Sequence, residues 1–443
     1  MENFLKNKTV IESIYSVKPL ANFKQDKTVV FVIKKDSRDL SAGAKSVILT
    51  ASEPLAFKAM CPLLDKLHED KRVRVIALIT NNMSRESFTG YLRKKSYDLE
   101  TFFLKGDGID KAEGEELKRI IGGDFDIVMA SIDAYRGPGR AILNSGKEYL
   151  GAKKMFIIHY GWTSSRRMKK IFTQLGITAY GKKTINGIFC NDELARKIIS
   201  LHLPSFKKRI KITGSPVIEG LGQDKAMQYK MLGRKKLAIS NLESAVLYLG
   251  DTLYDYGDDK KVDRYLNEKT LAITVEAMSK LAEKHPERKF TLLIRPHPRD
   301  RNKFRIMSYT HFRILPKNLR LISALPEKIS INEAVYAADA ILSIISTENN
   351  LAPLRGKPGI FLAFPGNNHG HKLGGYILQK ILGSKAMTLI RKVKYIYVVR
   401  SEIELIHCLS NCLNRRKNKA RKSLIKSITA EGSTEKILDT ILN

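Results

Sequence analysis

The chain of 443 residues contains no run approaching 18 uninterrupted apolar residues, the length a helix needs to cross a bilayer. Its first stretch, MENFLKNKTV, carries charges where a secretory signal needs an apolar core, so a cytoplasmic protein is expected. Cysteine is scarce: four residues, too few for a disulfide framework. Cys408 and Cys412 lie beside His407 without the further closely spaced ligands a metal site needs, and they are read as ordinary thiols. His369 and His371 likewise lack a third ligand nearby, so no metal is expected. No GxxxxGK[ST] phosphate loop occurs, and no GxGxxG follows a first strand, which excludes the commonest mononucleotide and dinucleotide fingerprints. Acidic side chains are outnumbered, 45 Asp and Glu against 78 Lys and Arg, for a formal net charge of +33. A chain this basic is drawn to something anionic: nucleic acid, a phosphate-rich substrate or anionic lipid.

What is present reads as a globular α/β protein. Short β-branched runs at 28–34 and 46–51 precede a helix at 53–70 with apolar residues at helical spacing, and a strand at 72–80 follows. Strand, helix, strand at this spacing is a βαβ unit and implies a parallel sheet. Further apolar runs at 126–133, 154–161, 185–192 and 209–216 continue the alternation. A polar, Lys-rich stretch interrupts it, and strands resume at 245–251, 290–298, 319–323, 340–345, 359–364 and 395–399. The pattern implies two doubly wound Rossmann-like domains facing across a cleft: 1–222, a linker at 223–244, and 245–400. A helical C-terminal segment, 401–443, completes the chain. Ligands of such sheets bind beyond the carboxyl ends of the strands.

Chemistry-bearing residues collect at those ends. After the strand FTLLI comes Arg295-Pro296-His297-Pro298. The prolines restrict the backbone on both sides of an imidazole that titrates near neutrality, and Arg295 adds a permanent cation. Together they suit an anionic group such as phosphate. After AILSII comes Ser346-Thr347-Glu348-Asn349-Asn350, a polar cluster where a strand gives way to a helix. Ser or Thr caps that helix, its free N–H groups suit an anion, and Glu348 could accept from sugar hydroxyls. Glu53, between the second strand and the first clear helix, is placed for a general base. His159, Trp162 and Ser164 lie at another strand end, on a possible acceptor side. LGDTLYDYGDD (249–259) could border the cleft. A run near the C-terminus, 414–426, holds seven basic residues and no acidic one. Within it Arg415, Arg416, Lys417, Lys419, Arg421 and Lys422 are expected to meet an anionic membrane.

His297-Pro298 and, about 50 residues later, Ser346-Thr347 resemble the HP and Ser/Thr motifs of a group of GT-B-type glycosyltransferases. That group includes bacterial sialyltransferases, polysialyltransferases and CDP-glycerol glycerophosphotransferases. The segment 187–221 resembles the end of the first domain in the UDP-GlcNAc 2-epimerase-like branch of the same fold. YAADAILSIISTENNLAPLRGKPGIFLAF resembles the donor-binding segment shared by GT-B proteins. The resemblance implies that His297, Pro298, Ser346 and Thr347 belong to the donor site; Arg295, Glu348 and Asn349 join them by their place beside the motifs, and His297 and Glu53 are the candidate catalytic residues. It implies no cofactor beyond a nucleotide-sugar substrate, CMP- or CDP-linked slightly before UDP. The acceptor would be a glycan or lipid-linked molecule at the inner face of the plasma membrane. The acidic motif that supplies the base in bacterial sialyltransferases has no clear counterpart, which leaves Glu53 as the candidate by position. A sugar-nucleotide epimerase is the alternative. A nucleic-acid-binding protein is a third reading: it accounts for the charge but not for polar clusters at strand ends.

Overall fold

The structure, a computed structural model, describes residues 28–51, 54–80, 82–95, 97–103, 110–131, 142–143, 148–159, 185–219, 223–251, 260–297, 314–324, 328–364, 367–368, 371–372, 395–414 and 432–443. Two separate sheets carry it. The first contains β1 (Val29–Lys34), β2 (Lys45–Ala51), β3 (Val73–Thr80), β4 (Leu99–Phe103), β5 (Ile127–Ser131), β6 (Lys154–His159), β7 (Gly187–Cys190) and β8 (Ile210–Ile212). Their order is β4-β1-β3-β2-β5-β6-β7-β8. From β3 through β8 every neighbouring pair is parallel. The central strands are buried along nearly their whole length, as strands covered on both faces must be.

The expected βαβ unit is β2, α1 (Pro54–Glu69) and β3. Ala56, Ala59, Met60, Leu63, Leu64 and Leu67 of α1 are buried, the stripe the spacing predicts. The structure departs from an all-parallel sheet at one edge, where β1 runs antiparallel to both β3 and β4. Helices α2 (Asn82–Lys95), α3 (Lys111–Ile121), α4 (Glu193–His202) and the single turn α5 (Pro216–Glu219) complete this unit. Reciprocal hydrogen bonds between Asp110 and Glu113 close the start of α3.

The segment expected as a linker holds a helix, α6 (Gln223–Lys236), which packs on the second unit. The second sheet contains β9 (Ser244–Leu249), β10 (Phe290–Arg295), β11 (Leu319–Ser323), β12 (Ala340–Ser343) and β13 (Gly359–Leu362). A two-residue ladder, β14 (Asn367–Asn368) with β15 (His371–Lys372), follows before β16 (Ile396–Val399) rejoins the sheet. The order is β11-β10-β9-β12-β13-β16, parallel throughout. Its helices are α7 (Lys260–Lys284), α8 (Ile331–Ala337), the short α9 (Thr347–Leu351) and α10 (Glu402–Leu413).

The final helix, α11 (Ser433–Leu442), does not stay with α10. It returns to the first unit and packs on α1 and α5. Glu219 of α5 fastens it, accepting from Ser433 Oγ at 2.7 Å, from the Thr434 N–H at 2.8 Å and from Thr434 Oγ1. The carboxylate supplies the cap that Gly432 at the helix start cannot. Burial alone would raise the Glu219 pKa, but these donors outweigh it and the net direction is down. A depressed folded pKa stabilises fully above the unfolded glutamate value of about 4.3, and that contribution fades as pH falls through the folded value. Protection factors for amide exchange across α11 should therefore fall in acid before those of the central strands do. In Glu219→Ala those of α11 should be low already at neutral pH. Equal protection of α11 in the variant and the native protein would remove this role from Glu219.

Candidate functional site

In the second sheet the chain runs outward through β9, β10 and β11, then returns to the other side of β9 for β12. The topological switch point therefore lies between β9 and β12, where a crevice opens in sheets of this kind. Three loops meet at this end. Asp251, just beyond β9, is 5 % exposed, and its Oδ2 accepts from the backbone N–H groups of Ile344 (2.8 Å) and Ile345 (3.0 Å) beyond β12. Asn267 of α7 grips the Asp251 backbone on both groups, accepting its N–H at 3.1 Å and donating to its carbonyl at 2.6 Å. On the other flank, a Cβ added at Gly250 would lie 3.3 Å from Pro296 Cα. A side chain there would press on the half-buried His297 loop.

The sequence left the separation of the His297 and Ser346 loops open. The structure puts β9 between their strands, so the two strand ends stand two spacings apart, about 9–10 Å. Ser346 caps α9 as expected: its Oγ accepts from the Glu348 N–H at 3.3 Å. Its own N–H donates to Ser343 Oγ at 2.9 Å, and its carbonyl accepts from the Asn349 N–H at 3.1 Å. With Ile344 and Ile345 held by Asp251, most N–H groups of this turn already have acceptors. Asn349 is fully buried and its Nδ2 donates to the Ile360 carbonyl at 2.8 Å, tying α9 to β13. Arg295 is also buried, and its Nη1 donates to the carbonyls of Ala324 (3.0 Å) and Ile329 (2.7 Å), which fastens the turn between β11 and α8.

The remaining charge centres on Arg355, in the short turn Pro353–Arg355 after α9. Its side chain is wholly buried, and its Nη1 lies 2.6 Å from Glu348 Oε2. The pair is close but not aligned as a hydrogen bond. Arg355 Nε, Nη1 and Nη2 find no hydrogen-bond acceptor among the described residues. Lys58 of α1 approaches the same group from the first unit. Burial pulls its ammonium pKa down, the Glu348 charge opposes that, and the Arg355 and Arg295 charges add to it. Tyr336 of α8 lies near the same pair, its hydroxyl pKa pushed up by burial. Arg355 and Lys58 thus both act on the Glu348 carboxylate, with Asp251 engaged by backbone N–H groups a few residues away. Guanidinium N–H groups held away from water without acceptors are costly, and an anion placed beside them offsets that cost.

Lys58 follows β2, and the first sheet has its own switch point between β2 and β5. Here Ser131 donates its hydroxyl to the Thr50 carbonyl at 2.8 Å and its N–H to Thr50 Oγ1 at 3.1 Å. His159, at the end of β6, is buried, which lowers its pKa to about 4 and keeps the imidazole neutral at pH 7. Glu53, Trp162, Ser164 and Pro298 lie outside the described residues, as do Arg415, Arg416, Lys417, Lys419, Arg421 and Lys422. So does the side chain of Thr347. Among the described residues no group of three or more His, Cys, Asp or Glu is arranged to hold a metal ion.

Sequence reasoning missed Lys58, Arg355 and Asp251. Asp251 carried a signal, since it stands directly after a strand in a segment already placed beside the cleft. Lys58 and Arg355 carried none: a lysine early in an amphipathic helix and an arginine before Gly-Lys-Pro both read as solvated.

No protein-family model matches the sequence, and no curated protein matches it. Solved structures do. UDP-GlcNAc 2-epimerase from Neisseria meningitidis, bound to UDP-GlcNAc, superposes with a TM-score of 0.55 at 14 % identity, covering 90 % of this chain and 99 % of its own. MnaA from S. aureus, solved with UDP, gives 0.54 at 14 % identity over 90 % and 96 %. HepE from Anabaena, in complex with UDP-glucose, gives 0.53 at 10 % identity over 89 % and 100 %. The likeness spans nearly the whole of each chain and establishes the fold: two Rossmann-like units facing across a cleft, related to that of the UDP-GlcNAc 2-epimerases.

Proposed function

We propose that the chain is a glycosyltransferase that moves a sugar from a nucleotide-activated donor to a glycan or lipid-linked acceptor. The observation that supports this most is the Arg355 guanidinium, buried at the carboxyl ends of the second sheet with N–H groups lacking acceptors and Lys58 approaching from the first. Transfer needs positive charge where the leaving phosphate develops negative charge, and preorganised donors in a dry site supply it. In this reading His297 donates to the phosphate, while Arg295 holds the loop beneath it and Pro298 restricts its path. Ser346 and Thr347 offer hydroxyls, Glu348 and Asn349 shape the donor pocket, and Glu53 takes the acceptor proton. His159, Trp162 and Ser164 line the acceptor side. Donors linked to CMP or CDP are slightly favoured over UDP, and the acceptor places the enzyme at the inner face of the membrane.

A second reading, a sugar-nucleotide epimerase, is favoured by the near-complete coverage of a structure that holds UDP-GlcNAc. Two measurements decide. A thermal-shift panel of CMP, CDP, UDP and GDP should show one nucleotide stabilising the fold, by about 2.7 kcal/mol at a hundred times its dissociation constant. Absence of any shift would sink both readings. Incubation with UDP-GlcNAc in deuterated water then separates them. Inversion at C2 breaks the C2–H bond and brings in solvent deuterium, whereas a transferase leaves that hydrogen in place.

A further inference from the structure

α6 shows one face to the protein and another to solvent, and the two differ in kind. Its packed face is fixed by close contact. A Cβ at Gly233 would lie 2.3 Å from the Glu333 carbonyl oxygen and 3.1 Å from Ala337 Cβ, so the backbones of α6 and α8 touch there. Arg234 donates to the carbonyls of Ala337 (3.1 Å) and Ser240 (2.6 Å) and pairs with Asp339 at 3.1 Å. The Tyr229 ring stacks on Tyr336, centroids 6.1 Å apart. These contacts set the rotation of the helix and turn Met227, Met231 and Leu232 outward, 66 %, 62 % and 39 % exposed. Leu242, in the turn that Arg234 ties to the helix end, is 80 % exposed.

Lysines frame this apolar arc. Lys225, Lys230 and Lys235 are exposed and take part in no ion pair among the described residues. Lys236 reaches Glu333 at 2.6 Å. From 225 to 242 the sequence contains no acidic residue.

We infer that the outer face of α6 docks on an anionic lipid surface. An occupant of this face must satisfy exposed methionine and leucine and unpaired ammonium groups at once. The boundary between headgroups and acyl chains of an anionic bilayer does both: apolar side chains enter it and lysines meet the phosphates. Nucleic acid would answer the lysines and leave the methionines in water, and the aromatic ring a base would stack on, Tyr229, is already on the packed side. The inference rests on the membrane part of the reading above and adds α6 to the basic run at 414–426 as a place of contact. It also ties lipid to chemistry. The reverse side of α6 covers Tyr336, which borders the Glu348–Arg355 pair, so a docked bilayer would lie one helix away from the site.

The test is sedimentation of the full chain with phosphatidylcholine vesicles, with and without phosphatidylglycerol. The native protein should pellet with the anionic vesicles and stay in solution with the neutral ones. Lys225→Gln/Lys230→Gln/Lys235→Gln should weaken this on the order of a hundredfold, at about fivefold per lysine. Met227→Ser/Met231→Ser/Leu232→Ser should weaken it at least tenfold. All six side chains are exposed, so the fold should survive, and an unchanged melting temperature without any nucleotide would verify this separately from the enzymatic reading. Native-like pelleting by either triple variant overturns the inference. So does duplex DNA retaining the native protein where vesicles do not, or a dimer that the Met227→Ser/Met231→Ser/Leu232→Ser variant abolishes.

Discussion

Arg355→Met should lower the stability of the folded protein by about 3–5 kcal/mol, because it strands the Glu348 carboxylate in a buried setting. The double variant Glu348→Gln/Arg355→Met should regain most of that loss, since removing both charges removes the uncompensated one. Chemical denaturation of the two proteins measures the difference. Nucleotide binding should follow a different order. Both variants lack the guanidinium and should bind the preferred nucleotide about 10- to 100-fold more weakly, the effect of one charge-assisted hydrogen bond. Glu348→Gln alone removes the anion that faces Arg355 and should bind at least as well as the native protein. A nucleotide shift of native size in Glu348→Gln/Arg355→Met would mean that the pair is structural and that the phosphate lies elsewhere.

His297→Ala should cut turnover by roughly two to three orders of magnitude while nucleotide binding weakens much less. One preorganised donor to a developing charge is worth about 2.7–4 kcal/mol in the transition state, and less in the ground state. The comparison of rate with nucleotide affinity is the measurement. Equal losses in both would make His297 a binding residue, and no loss in either would remove it from the site.

The strands were legible because burial on both faces forces continuous β-branched runs, and all but one of the long strands stand where such runs stand. β4 escaped notice for the opposite reason: at the sheet edge, LETFF is mostly exposed, and Glu100 and Thr101 break its apolar residues into pieces too short to read as a strand. Direction was not legible either. Val29–Lys34 would read the same in a parallel or an antiparallel pairing, and only its neighbours decide. At the site, sequence located the strand ends but not the order of strands, and so could not show that β9 stands between the strands carrying His297 and Ser346. The meeting of Lys58 with Arg355 joins positions far apart in the chain and on different units. Nothing local in either segment encodes such a pairing, because it arises only when the two carboxyl ends face each other.

The return of α11 to the first unit bears on the order in which the two units are completed. The chain leaves the first unit after Glu219, builds the whole second unit, and comes back to be fastened by Glu219 again, with Lys45 donating to the Leu442 carbonyl and Arg72 to Asn443 Oδ1 at 3.3 Å. In chain order the second unit is therefore an insertion within the first, and the surface formed by α1 and α5 receives its covering helix only after every strand of the second sheet has been made.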